Sequence, residues 1–298
     1  MQPPAVVYMK KEQFPGSSCL TFAIGDEITA PLEKSGKDFE IRIFPGELDK
    51  MRGGPLPENA PLIGIILARE GNNYSIDEPY VQAVVQTGAE IRFIHYSNVE
   101  KQLEKVDAVL LIGGSFPSPK EWYGKDYPGL VPMAEMPSRS RAYITIINYA
   151  EKHKMPMFGV CGGMQMMAGM HGAKLAKVAD FFPESTLVHR GINANDYAHD
   201  IEIVSGSRLS GLADGKAQIN VNSAHSEIVA TVPEDKIIIT ARASDGVIEA
   251  FEYADYDGYA LAVQWHPERM AVLGEKLSRK LYQQLTDEAA KYRLKRRD

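Results

Sequence analysis

Short apolar runs along the chain alternate with segments of helical spacing. Leu62–Leu67 reads as a strand buried on both faces, Glu78–Thr87 as a helix stopped by Gly88, and Glu90–Ile94 as the next strand. Val99–Lys105 is a short helix, and Ala108–Ile112 is a third apolar strand that ends in Gly113-Gly114. Arg139–Lys152 is amphipathic, with Ile144, Ile147 and Ala150 on one side, and it leads through Pro156 into a fourth strand ending at Val160. Strands that alternate with helices predict a parallel sheet covered on both faces.

The rhythm then changes. Ile201–Val204 and Gln218–Val221 read as strands, and Asn222-Ser223-Ala224-His225 forms a polar loop. Ile237–Ala243, Val247–Glu252 and Tyr259–Trp265 follow as short strands separated by turn residues at Asp245-Gly246 and Tyr253–Gly258, which predicts an antiparallel meander. Arg269–Leu294 has helical spacing, with Leu273, Leu277, Leu281 and Leu285 as its core row. Gly169–Lys177 and Val178–Asn195 carry no assignable pattern. The expected fold is an α/β three-layer sandwich with a central, mostly parallel sheet and a C-terminal antiparallel meander.

Residues 1–60 have a different texture, rich in proline and glycine, with strand-like pieces only at Leu20–Ile24 and Phe39–Phe44. They are read as an extension that packs on the main domain, residues 61–298, or supplies a homodimer contact; a lid near the site is the sharper alternative. The loop Ser115–Pro137 holds Trp122, Tyr123 and Tyr127, which suits either an aromatic pocket wall or surface packing.

Candidate chemistry centres on Met155–Ala168, where an apolar run breaks at Cys161 between Gly159, Gly162 and Gly163 and a helical segment follows at once. Glycines on both sides allow a sharp strand-to-helix turn, and the new helix points free N–H groups and its positive dipole end at the apex. That is the setting of an activated thiol, although a small buried cysteine can also be inert. His266-Pro267-Glu268 supplies an imidazole and, two residues on, a carboxylate able to orient it. Backbone N–H groups at Gly114 and Gly162 are the natural oxyanion donors. Gln165, four residues past Cys161, lies on the same helix face and can present an amide to substrate or satisfy nearby backbone.

Composition narrows the partners. The 298 residues carry a net charge of −6, so nothing draws the chain to nucleic acid or an anionic membrane, and the basic stretch Lys291–Arg297 reads as a solvated helix end. Two cysteines are too few for a disulfide framework. No apolar run is long enough to span a bilayer, and a cytoplasmic protein is expected. Neither a metal nor a cofactor is expected.

Val160–Gln165, Asn222–His225, Asp245–Ala250 and Val263–Glu268 occur in the order and spacing of class I glutamine amidotransferase domains. More narrowly, the chain resembles the gamma-glutamyl-gamma-aminobutyrate hydrolase group, from about Leu62 to Leu285. The resemblance implies a flavodoxin-like fold and hydrolysis of a small gamma-glutamyl amide. Cys161 would be the nucleophile, with His266 and Glu268 completing the set and Gly114 and Gly162 holding the oxyanion. Gln165, Ser223 and His225 would bind substrate. Two places depart from the group: Gly162 stands where arginine usually follows the cysteine, and His171–Leu175 replaces the usual Gly-Gly pattern. An ammonia-supplying glutaminase subunit is the alternative enzyme, and a non-catalytic binding protein on the same fold is the alternative of another class.

Overall fold

The computed structural model describes residues 3–13, 19–190 and 193–296. The N-terminal segment is more ordered than its composition predicts. It holds β1 (Ala5–Tyr8), β2 (Lys10–Glu12), β3 (Thr21–Gly25), α1 (Asp26–Ser35), β4 (Phe39–Arg42) and α2 (Pro45–Arg52). Asp26 and Glu27 sit in the first turn of α1, where the helix dipole favours them, and Gly36 closes its end at φ 65°.

β5 (Leu62–Ile66) begins the central sheet, and the hairpin of β6 (Ala68–Glu70) and β7 (Asn73–Asp77) follows at once. That hairpin pairs with the N-terminal strands in the order β2-β3-β7-β6, all antiparallel, so one sheet takes two strands from each side of residue 60. Phe22, Ile24, Phe39, Ile41 and Ile43 join the same hydrophobic core as the central strands. The N-terminal 60 residues therefore bury side chains in common with the rest of the molecule.

The remaining elements are α3 (Glu78–Val85), β8 (Glu90–Ile94), α4 (Val99–Leu103), β9 (Ala108–Leu111), α5 (Ser138–His153), β10 (Met157–Val160), α6 (Gly162–Met170), β11 (Lys174–Lys177), α7 (Val178–Phe181), β12 (His199–Ile203), α8 (Arg208–Leu212), β13 (Gln218–Val221), β14 (Glu227–Thr231), β15 (Ile237–Ala243), β16 (Ile248–Tyr253), β17 (Ala260–Val263), α9 (Pro267–Val272) and α10 (Lys276–Lys295). The central sheet runs β13-β12-β15-β16-β17-β10-β9-β5-β8. Its five strands from β17 to β8 are parallel, and in chain order they stand 2-1-3-4-5, the flavodoxin-like arrangement. β9, β10 and β17 are buried at every position, as strands covered on both faces must be. β12 alternates buried and exposed, as a strand with one wet face does. From β16 to β13 the pairing is antiparallel, which gives the expected meander. Helices α3, α9 and α10 pack together as one layer and α4, α5 and α6 as the other. Among the described residues no helix is long and apolar enough to cross a membrane.

The C-terminal helix differs from expectation. It is broken at Gly274, whose φ of 98° no helix accommodates, and it restarts where the Glu275 carboxylate accepts from the N–H groups of Leu277 and Ser278 at 3.0 and 2.6 Å. Leu273 falls in the break and is 65% exposed, while Leu277, Leu281 and Leu285 are buried. The basic residues near the chain end bind backbone: Arg293 donates to Ala60 O, and Arg296 donates to Val106 O at 2.8 Å and Glu104 O at 2.7 Å.

Candidate active site

The carboxyl ends of β9, β10 and β17 open into a cleft of about 780 Å³, where ligands of parallel α/β sheets sit. Gly113 and Gly114 follow β9, Cys161 follows β10 and His266 follows β17, so three loops distant in sequence meet at one sheet edge.

Cys161 occupies the apex of the turn at φ 50°, ψ −109°, a left-handed conformation that costs a non-glycine residue about 1–3 kcal/mol. The surroundings enforce it. Cys161 N donates to Val263 O at 2.8 Å and Gln165 N donates to Cys161 O at 3.0 Å, which ties the apex to β17 and to the first turn of α6. The two glycines that follow are required by close approach. A Cβ on Gly163 would lie 2.0 Å from Leu111 O, and one on Gly162 would lie 2.8 Å from the Phe116 ring. Gly162 is also the first residue of α6, where N–H groups lack intrahelical partners.

His266 is fixed at three points. Its N–H donates to Asn222 Oδ1 at 2.9 Å, its carbonyl accepts from Asn222 Nδ2 at 2.9 Å, and its Nδ1 lies 2.7 Å from Glu268 Oε1. The other ring nitrogen is left to the thiol: Cys161 Cβ and His266 Cε1 both lie 3.1 Å from the point that a Cβ on Gly113 would occupy. Burial alone would lower the pKa of His266, but the charges of Glu268 and Cys161 outweigh it and push it up to about 10. Tyr80 closes this corner: its hydroxyl accepts from Gly113 N at 3.0 Å and sits 3.5 Å from His266 Nδ1. Burial, then the Glu268 charge, keep that phenol protonated.

The substrate-binding expectations fall out unevenly. Gln165 lines the cleft, yet its amide nitrogen donates to Glu227 O at 2.8 Å and Gln264 Oε1 at 3.2 Å. Ser223 is 1% exposed, donates to His189 O at 2.9 Å, and is not among the residues that line the cleft. His225 touches the cleft wall, but Nδ1 is 3.2 Å from Glu227 O and Nε2 points inward, 3.6 Å from Glu249 Oε1. Burial pushes His225 down to about 3, so its ring is neutral, and pushes Glu249 up to about 7. Trp122 and Tyr123 do not line the cleft; Trp122 packs beneath Gly169 and Tyr123 donates to Glu227 at 2.9 Å. The aromatic side chains on the wall are instead Phe116 and Tyr80, beside the two histidines.

Several residues absent from the sequence reading complete the site. Arg139 is buried in the cleft wall, donates from Nη2 to Gly113 O at 2.7 Å, and lies with its guanidinium carbon 4.3 Å from the centre of the Phe116 ring. Among the described residues no carboxylate pairs with it, and Arg190, at the rim, likewise has only Ser226 as a side-chain partner at 2.9 Å. Arg69 and Arg269 also line the cleft, but they are paired with Asp26 and Asp77. Arg139 left one trace in the sequence. It opens a helix whose first turn carries arginines and no acid, against the helix dipole, so another demand holds it there. None of residues 1–60 lines the cleft among the described residues, but Thr21 donates to Asp77 at 3.0 Å and Asp26 holds Arg69, so that segment props up the hairpin that does.

A cysteine at a strained elbow, with a histidine–carboxylate pair beside it on this sheet, defines a hydrolase of the glutamine amidotransferase-like class. The same fold is found in a glutamine amidotransferase from Thermotoga maritima, with a TM-score of 0.54 and 15% identity over 78% of this chain and 99% of that one. The chain belongs to the Peptidase C26 family, whose model matches residues 61–268. It is 31% identical to gamma-glutamyl-gamma-aminobutyrate hydrolase PuuD of Escherichia coli (strain K12) over 225 residues, which cover 70% of this chain and 86% of that protein. The gamma-glutamyl-gamma-aminobutyrate hydrolase of Shigella sonnei matches to the same extent.

Proposed function

We propose that the protein hydrolyses the gamma-glutamyl amide of a small conjugate whose amine part carries its own carboxylate, gamma-glutamyl-gamma-aminobutyrate being the model compound. The observation that carries this reading is the pair of guanidiniums, Arg139 and Arg190, that have no carboxylate partner among the described residues, in the cleft that holds Cys161. Two such cations match two carboxylates, one on the glutamyl group and one on the amine. The resemblance to the hydrolases of Escherichia coli and Shigella sonnei supports the same substrate class.

With the proton of the pair already on His266, the Cys161 sulfur attacks the γ-carbonyl carbon. The N–H groups of Gly114 and Gly162 receive the oxyanion as the C=O bond opens. When it re-forms, the C–N bond breaks, and the proton on His266 goes to the departing amine. A γ-glutamyl thioester remains on Cys161. Water then gives a proton to His266 and attacks the thioester, releasing glutamate and the thiol. Glu268 orients His266 and stabilises its charged form throughout. Phe116 fills the space a side chain at position 162 would need, and Arg139, stacked on that ring, supplies a cation on this side of the cleft.

The test is glutamate release from glutamine, gamma-glutamyl-gamma-aminobutyrate, a gamma-glutamyl amine without a carboxylate, and polyglutamates. Preferred turnover of the carboxylate-bearing conjugate, with a covalent adduct of one glutamyl group in the intact mass, is expected. Preferred release of ammonia from glutamine would instead favour the glutaminase-subunit reading. Full turnover by Cys161→Ala would overturn both.

A further inference from the structure

A second cluster of polar side chains lies beside the cleft, and the mechanism above does not use it. His189, His199 at the start of β12, His225 and Glu249 of β16 each present one ligand-type atom, and these atoms lie within 4.8 Å of one another. The three histidines are each 4% exposed and Glu249 is 0% exposed. From Glu249 Oε1 it is 3.8 Å to His189 Nδ1, 3.6 Å to His199 Nε2 and 3.6 Å to His225 Nε2.

The outer ring nitrogens face acceptors. His189 Nε2 is 2.8 Å from Asp245 Oδ2, His225 Nδ1 is 3.2 Å from Glu227 O, and His199 Nδ1 is 3.4 Å from Asp200 O. A carbonyl or carboxylate accepts only from a protonated nitrogen, so in the neutral rings each proton lies outward. Three lone pairs and a carboxylate are thereby aimed at one another. None of those inward nitrogens, and neither Glu249 oxygen, has a hydrogen-bond partner among the described residues. Buried polar atoms are rarely left so. One proton placed in the cluster satisfies one pair and leaves the other atoms orphaned.

We propose that His189 Nδ1, His199 Nε2, His225 Nε2 and a carboxylate oxygen of Glu249 bind one divalent transition-metal ion, with Zn²⁺ as the resident metal. Zinc bonds of about 2.0–2.1 Å set tetrahedral ligand separations of about 3.3 Å, so the 3.6–3.8 Å separations from Glu249 Oε1 contract slightly, and the widest separations in the cluster, up to 4.8 Å, close by side-chain rotation as the ion enters. Imidazole and carboxylate donors suit zinc, and an outward hydrogen bond from each histidine is the usual second layer of such sites. All four positions are filled by protein in a buried setting, which makes the site structural. It would anchor His225, three residues from the Asn222 side chain that holds His266 on both sides, and so stiffen the loop that positions the imidazole.

The full chain, produced in zinc-supplemented medium and freed of any affinity tag, is measured for metal by mass spectrometry. About one zinc per chain is expected. Chelation should lower the Tm by at least about 5 °C, and added Zn²⁺ should restore it. Co²⁺ in place of zinc should give the visible absorption of a tetrahedral site. His199→Ala and Glu249→Gln should lose the metal, while Cys161→Ser keeps it and so places it away from the thiol. The proposal is overturned if the wild-type chain is isolated without metal and neither Zn²⁺ nor Co²⁺ added to it shifts the Tm or the spectrum. Undiminished metal in the His199→Ala, Glu249→Gln double variant, or loss of metal in Cys161→Ser, overturns it equally.

Discussion

The groups around Cys161 and those around Glu249 are joined by one stretch of chain, residues 222–227, and they are built on opposite plans. In the first, hydrogen bonds fix the groups around the thiol: Glu268 takes one His266 nitrogen, Asn222 takes its backbone, and Tyr80 takes the N–H of Gly113. One sulfur and the guanidiniums of Arg139 and Arg190 are left facing a cleft. In the second, the hydrogen bonds lie on the outside and the unsatisfied atoms face one another away from solvent. The comparison teaches that the direction of the leftover atoms separates a site for turning over a molecule from one for holding an ion. If it is right, changes in the first cluster move rates, and changes in the second move stability and metal content first.

The largest effect is expected from Cys161→Ala, which should cut glutamate release by at least about 10⁴-fold while cooperative unfolding persists. A comparable loss of stability with retained turnover would break the distinction. Glu268→Gln comes next, lowering kcat by about 10²–10⁴-fold through the orientation of His266.

The same variant has a pH signature. His266 is held up at about 10 in the fold, against about 6.5 in an unfolded chain. The stability this charge contributes is complete below about pH 6.5 and is lost as the pH rises through about 10. Denaturant titrations across that range should show the loss in the wild type and a flatter profile in Glu268→Gln. Arg139→Met should raise KM for the carboxylate-bearing conjugate about tenfold or more, with a smaller change in kcat, as steady-state kinetics would show. An equal loss in kcat and kcat/KM would place Arg139 in the chemical step instead.

The smallest effect calibrates the rest. Leu273→Ser, in the exposed break before α10, should shift stability within about 0.5 kcal/mol, whereas Leu281→Ala, fully buried in the same leucine row, should cost about 2–5 kcal/mol.

That pair also marks how far sequence reasoning reached. A spacing of four put Leu273 and Leu281 on one face, but it carried no information about the turn at Gly274 that takes Leu273 out of the helix. Likewise β6 and β7 are short and partly polar, and β3, the strand that ties β7 into the sheet, lies roughly 50 residues back, so their pattern alone announced no sheet. The elbow was legible because everything that shapes it is local. Glycines flank the cysteine, an apolar run precedes it and a helix follows, and His266 and Glu268 are two residues apart. Arg139 was visible only as an oddity of charge, since the position it reaches depends on how α5 packs beside β9.

The sequence by itself determined the parallel half of the sheet, the elbow at Cys161 and the pairing of His266 with Glu268, because periodicity, turn residues and motif spacing are properties of neighbouring residues. Only the tertiary structure decided that His189, His199, His225 and Glu249 converge, that Arg139 and Arg190 share a cleft, and that the N-terminal strands complete a sheet begun after β5. Those arrangements join residues whose separation along the chain has no period, and what brings them together is the burial of both sheets' faces in one core.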